Sequence, residues 1–314
     1  MDGQSEQGIA APNIEKQPKT STHIATLADL SSRFFKPMDT GHITTEIDTT
    51  KKQMQPLLQA VSNRYEEDQS TIRENLSLME SFYKHNNEVL ESAVFYANLF
   101  GLSEGQHITV AASAVLHDIA KADPAPANIP DALKSEYILL MHPEMGASLA
   151  SSLFKNQPKL DQIVEGNNTA DVAEAIRCHS GPIPGFMQSR LDHYNSHTDT
   201  PIHLDEIDPT HTPSIILLAA DMLALGSPAG VEKIVKLRES APHFRVEDIT
   251  ATIQEQRATT QEVRVNSALK SAYEGAAMVH NLMKMNPLLK DYADNNYQLM
   301  HAYFEKTKAE ILVA

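Results

Sequence analysis

Apolar residues recur every three or four positions through most of this chain, and no stretch rich in Val, Ile and Thr alternates with polar residues between turn signals. That pattern supplies helices and leaves nothing from which to build a sheet. Met54, Leu57, Leu58, Val61 and Tyr65 fall on one helical face, then Ile72, Leu76 and Met79, then Val89, Leu90, Ala93, Val94 and Ala97. Near the C-terminus Val263, Leu269, Tyr273, Ala276 and Met283 repeat it after Ile249 and Ile253, and Pro287 interrupts before Leu288, Tyr292, Leu299 and Tyr303 resume. The expected fold is all-α.

Two of the most apolar segments end in charge. Residues 110–116 form an unbroken run of apolar and small residues that closes on His117-Asp118, with Ile119, Ala120 and Lys121 after it. Desolvating an imidazole or a carboxylate costs several kcal/mol unless it is paired or bound to a cation. A helix-end Asp can simply be solvated, but a metal ion would satisfy both groups, and mixed nitrogen and oxygen ligands suit iron, manganese, zinc or cobalt. The aliphatic run 215–220 likewise ends in Asp221, and His85 opens the helix carrying Val89 and Leu90. Each of these polar groups stands where packing alone gives no reason for it.

The order His85, then His117-Asp118, then Asp221, each on its own helix, resembles the HD superfamily of metal-dependent phosphohydrolases. The run Ala-Ser-Ala-Val-Leu-His-Asp-Ile-Ala-Lys over 112–121 matches that family's apolar helix ending in His-Asp. The resemblance covers residues 80–235. It implies an enzyme of helical-bundle fold that cleaves a phosphoester or phosphoanhydride with metal-activated water, the metal held by His85, His117, Asp118 and Asp221. Members with two ions use further histidines in His-x-x-x-Gly-Ala and Ala-Ile-x-x-His settings, which His142 and His179 match. The plainer reading makes His142 a helix cap before Pro143 and sets His179 against the last carbonyls of its helix. Iron or manganese is the expected metal, as one ion or two, with zinc, cobalt, nickel and magnesium as alternatives. Asp118 could also accept a proton, and Lys121 and Arg177 are candidates to meet the phosphate. The setting of the middle histidines looks like that of the bacterial symmetrical dinucleoside tetraphosphate hydrolases of this superfamily. It is less similar to the HD-GYP phosphodiesterases, whose adjacent histidines and Gly-Tyr-Pro are replaced here by His179-Ser180 and Gly181-Pro182. A regulatory module that binds a phosphorylated ligand without turnover is the alternative.

With 26 Lys and Arg against 41 Asp and Glu, the net charge of -15 argues against bulk nucleic acid or an anionic membrane as partner. A small phosphorylated substrate, such as a nucleotide, would have to be attracted locally. Cys178 is the one cysteine, so no internal disulfide can form, and it reads as a small buried residue rather than a nucleophile. No run approaches the length of a membrane span, and a cytoplasmic location is expected. Residues 1–22 read as a mobile tail, 23–79 as a helical extension, 80–235 as the catalytic unit, and 236–314 as helices packed on the core or on a second copy of the chain. Asp131 is expected to cap a helix through Met141, Asp171 to cap one ending near His179, and Thr212-Pro213 to begin the helix carrying Asp221. Residues 181–211, rich in Pro and carrying His193, His197, His203 and His211 as surface residues, read as an irregular connection suited to a substrate lid.

Overall fold

The computed structural model describes residues 22–67, 76–123, 125–164, 168–179, 186–204, 207–240 and 261–313. Residues 1–21, Ile72, Ile249, Ile253 and the prolines and glycines of 181–185 lie outside them. The fold is all-α, with no strand among the described residues.

Twelve helices follow in order among those residues: α1 Thr22–Ser31, α2 Thr40–Glu67, α3 Leu76–Leu99, α4 Glu104–Leu116, α5 Lys134–Asn156 and α6 Pro158–Ile163, then α7 Thr169–Cys178, α8 Phe186–Ser196, α9 Thr212–Leu225, α10 Pro228–Ser240, α11 Gln261–Met285 and α12 Ala293–Val313. Two of them are buried on every side. Residues 108–116 of α4 and 212–224 of α9 are buried without exception, as a nearly all-round apolar sequence requires. Helices α3, α4 and α7 surround α9, and α5 lies against α7. Helix α4 begins with a capping box, in which Ser103 accepts from Gln106 N while the Gln106 side chain accepts from Ser103 N. It ends at His117, where the chain tightens into a single turn of narrower helix over Ile119–Ala122.

Helices α11 and α12 pack on each other, and α11 lies along α9. No single helix among the described residues is long and apolar enough to cross a membrane.

Three local expectations are corrected. Pro143 does not start a helix but lies inside α5, which runs from Lys134 to Asn156. Proline denies the Leu139 carbonyl its helical partner, and His142 Nδ1 fills that place at 2.7 Å. The stretch 181–211 is not wholly irregular. Phe186–Ser196 is helix α8, pinned to α5 by His193 Nδ1 at 2.9 Å from the buried Glu136 and by the fully buried Tyr194. His193 is therefore a paired residue rather than a surface one. Finally, Asp131 opens only a three-residue turn, and neither Asp131 nor Asp171 caps a helix: Asn168 precedes α7 without a side-chain cap.

Candidate metal centre

Six side chains from five helix ends or faces converge. His85 comes from α3, His117 and Asp118 from the end of α4, His142 from α5, His179 from the end of α7 and Asp221 from α9; all six are buried. Close approach of α5 depends on Gly146, one turn beyond His142. A Cβ there would stand 3.1 Å from Ile176 Cγ2 and 3.3 Å from the His117 carbonyl oxygen. Asn86, beside His85, donates to the Val115 carbonyl at 3.2 Å and so ties α3 to the end of α4.

Asp118 is the hub. Its Oδ1 lies 3.5 Å from His117 Nε2, 3.5 Å from His142 Nε2 and 3.7 Å from His179 Nε2. Its Oδ2 lies 3.9 Å from His85 Nε2 and accepts from Lys121 Nζ at 2.7 Å. Asp221 Oδ1 is 3.1 Å from His85 Nε2 and 4.0 Å from His117 Nε2. Ligands bound at about 2.1 Å to one ion stand roughly 3–4 Å apart. Two sets of ligand atoms come near that spacing, the atoms of each lying within 4.8 Å of one another: His85, His117 and Asp118, and Asp118, His142 and His179.

The backbone prepares the imidazoles. Nδ1 of His117 donates to the Ala114 carbonyl at 2.8 Å, that of His142 to Leu139 at 2.7 Å and that of His179 to Ile176 at 2.6 Å. A carbonyl only accepts, so each Nδ1 carries the proton, and in a neutral ring Nε2 is left as a bare lone pair. Burial pushes His117 down to about 4, with His179 and His85 adding to it against the pull of Asp118 and Asp221. Burial also holds His142 well below its ordinary value. His117 and His142 are thereby held in the ligand form. His117 Nε2 is buried with no hydrogen-bond partner among the described residues. Across 3.1 Å, His142 Nε2 faces His179 Nε2, so for neutral rings two lone pairs oppose each other. Orphaned and opposed lone pairs of this kind are costly in a dry interior, and one or two cations relieve both. The residues present thus fit a divalent metal.

Electrostatics separate the two roles expected of Asp118. Burial raises its carboxyl, but His117, Lys121, His179 and His142 outweigh burial and hold it well below the usual range. A carboxylate so held is a poor proton acceptor and a good ligand. For Asp221, burial is likewise outweighed, here by His85 and then His117.

Lys121 joins the centre through its ion pair with Asp118. Arg177 does not: its Nε donates to Glu144 and Nη1 to Glu174, both at 2.7 Å, on a partly exposed surface. Two positions before His179 on a helix, it points to another side. Cys178 is buried beside Glu174, and burial pushes its thiol up to about 12, which removes it as a nucleophile. One residue of the centre's surroundings escaped the sequence reading. Lys233 on α10 acts electrostatically on His85 and feels Asp118, Asp221 and Lys121. Its sequence neighbours form an ordinary amphipathic helix, and only the packing angle of α10 identifies it.

Residues 82–224 match the family model described as HD domain. No curated protein and no solved structure matches the chain.

Proposed function

We propose, from the match of residues 82–224 to the HD domain family model, that the chain is a metal-dependent phosphohydrolase that acts on a small phosphorylated substrate of nucleotide type. The observation that carries this reading is the pair of ligand sets sharing Asp118, with His117 Nε2 buried and without a hydrogen-bond partner among the described residues. His85, His117, Asp118 and Asp221 would hold one divalent ion, and His142 and His179 with Asp118 a second. Ions there would activate water and neutralise charge on the phosphoryl group. Iron or manganese fits the mixed donors, as do zinc and cobalt.

The chain's own residues do the rest. Carbonyls of Ala114, Leu139 and Ile176 fix three imidazoles in ring orientation and tautomer, so that Nε2 is the nitrogen turned to the ligand cluster. Lys121 steadies Asp118 and places an ammonium within reach of a nonbridging phosphate oxygen. Arg177, already held by two glutamates, is given no part in substrate binding. Water arrives from solvent and its proton returns there.

Elemental analysis of purified protein, followed by a panel of phosphomonoesters, dinucleoside polyphosphates and nucleoside triphosphates with added Mn²⁺ or Fe²⁺, tests the proposal. Phosphate or nucleotide release that is lost in Asp118→Ala is expected. Thermal stabilisation by these compounds without any product would instead assign the chain to ligand sensing.

A further inference from the structure

One narrow turn, Ile119–Ala122, carries Lys121 into the metal centre, and it is fastened from outside. Lys121 N donates to the Asp118 carbonyl at 2.9 Å and Asp123 N to that of Ala120 at 3.0 Å. A single turn of this kind has poor hydrogen-bond geometry and little cooperativity of its own. Helix α2 lies against it, and Arg64 in the last turn of α2 reaches its far end. There Nε and Nη2 both donate to Asp123 Oδ1, at 3.1 and 2.5 Å. Two N–H groups of one rigid plane on a single oxygen fix a direction as well as a distance.

What the turn holds is the orientation of Asp118. Lys121 Nζ grips Asp118 Oδ2 at 2.7 Å, which leaves Oδ1 facing Nε2 of His117, His142 and His179 at 3.5, 3.5 and 3.7 Å. A carboxylate turns over a broad range about its last bond, so a fixed donor on one oxygen decides where the other points. Lys121 is that donor only while the turn keeps it three positions from Asp118 in a wound backbone. The Arg64 side chain is 39% exposed and that of Asp123 17%, and a pair so accessible contributes little to folding stability. Its consequence is read at the residues it places.

We propose that Arg64 is a positioning residue of the metal centre, which acts through Asp123 and the 119–122 turn to hold Lys121 on Asp118 and so to aim Oδ1 at the imidazoles. This rests on reading those side chains as metal ligands, as the hydrolase proposal does. It makes α2, which lies outside the matched residues 82–224, part of what sets ion affinity. By linkage, an ion bound in the centre steadies the contact of Arg64 in return.

The test uses full-length protein stripped of metal, titrated with Mn²⁺ by calorimetry and followed separately by hydrogen exchange without metal. In Arg64→Gln the Mn²⁺ affinity should fall about tenfold, while the thermal midpoint of the metal-free protein moves by less than about 3 °C. The sign is informative, because losing a nearby cation would by charge alone tighten the binding of another. Asp123→Asn should also weaken Mn²⁺, and the double variant no further than the weaker single one, as one shared contact requires. Arg64→Lys, which can still reach Asp123 with one ammonium, should recover part of the loss. In metal-free Arg64→Gln the amides of Lys121 and Asp123 should exchange about tenfold faster, with those of α4 unchanged. Affinity equal to wild type in both single variants, or losses that add in the double variant, overturns the proposal. Ion binding is read without turnover. A wild type that binds Mn²⁺ and hydrolyses nothing, with the expected loss in Arg64→Gln, fails the hydrolase reading alone; hydrolysis with unchanged Mn²⁺ affinity in Arg64→Gln fails the positioning role alone.

Discussion

His23 and His117 are both sealed inside the protein, yet the fold treats them in opposite ways. At the junction of α1, α3 and α12, both ring nitrogens of His23 are satisfied: Nδ1 meets Tyr303 Oη at 2.6 Å and Nε2 meets Ser92 Oγ at 2.7 Å. At the centre of the bundle, only Nδ1 of His117 is satisfied and Nε2 is left bare. A buried imidazole with every valence filled contributes to packing specificity. One with a valence held open by its own backbone contact is kept for something that arrives later. Both rings are buried, so burial alone does not mark function; incomplete satisfaction does.

The sharpest way to break the comparison is to remove the open valence. His117→Ala and Asp118→Ala should each lower bound metal below about a tenth of the wild-type content and turnover by about a thousandfold, near 4 kcal/mol. Elemental analysis and steady-state rates on the same samples check it. Metal content unchanged in both would place the ion elsewhere.

A closed valence should behave differently. Burial holds His23 down at about 4, whereas in the unfolded chain it titrates near 6.5. The unfolded state therefore binds the proton first as pH falls, and stability owed to His23 is intact above pH 6.5 and lost between 6.5 and 4. The full loss is about 3 kcal/mol. His23→Gln retains donor and acceptor but does not titrate, so urea unfolding across that window should show it losing about that much less than wild type. Its metal content should not change. Parallel pH profiles for the two proteins would remove His23 from the acid response.

Smallest is the effect expected within the centre. His142→Ala and His179→Ala should keep close to one ion per chain, lose the second, and lower turnover about tenfold, or 1.4 kcal/mol, with thermal midpoints moving far less. Saturation of wild type at one ion under metal excess would make these two histidines structural, like His23.

His142 and His179 were reached through the family resemblance, whereas His117, Asp118 and Asp221 were legible in the sequence because the first two close a buried apolar run and the third stands inside one. Helical periodicity carried the fold for the same reason. What stayed hidden depends on contacts between elements. Polar α8 shows no apolar face strong enough to announce a helix, since it is held by Tyr194 and by the pair His193 and Glu136. Lys233 reads as solvent-facing until Ser227 and Gly230 fix the tilt of α10. Asp171 caps nothing because it lies inside the first turn of α7, which begins two residues earlier at Thr169.

Pro143 carries a consequence for anyone who engineers this chain. A proline in a helix interior is the obvious target for stabilisation, with about 3 kcal/mol to recover by exchange for alanine. Here alanine would return an N–H to compete for the Leu139 carbonyl, and His142 would no longer own that acceptor. Its ring could then flip or shift its proton to Nε2, the atom that faces His179. The gain in helix strength would be drawn from the order of the ligand, so the helix breaker works as a tuning element, and thermostability and ion affinity pull against each other at one backbone oxygen.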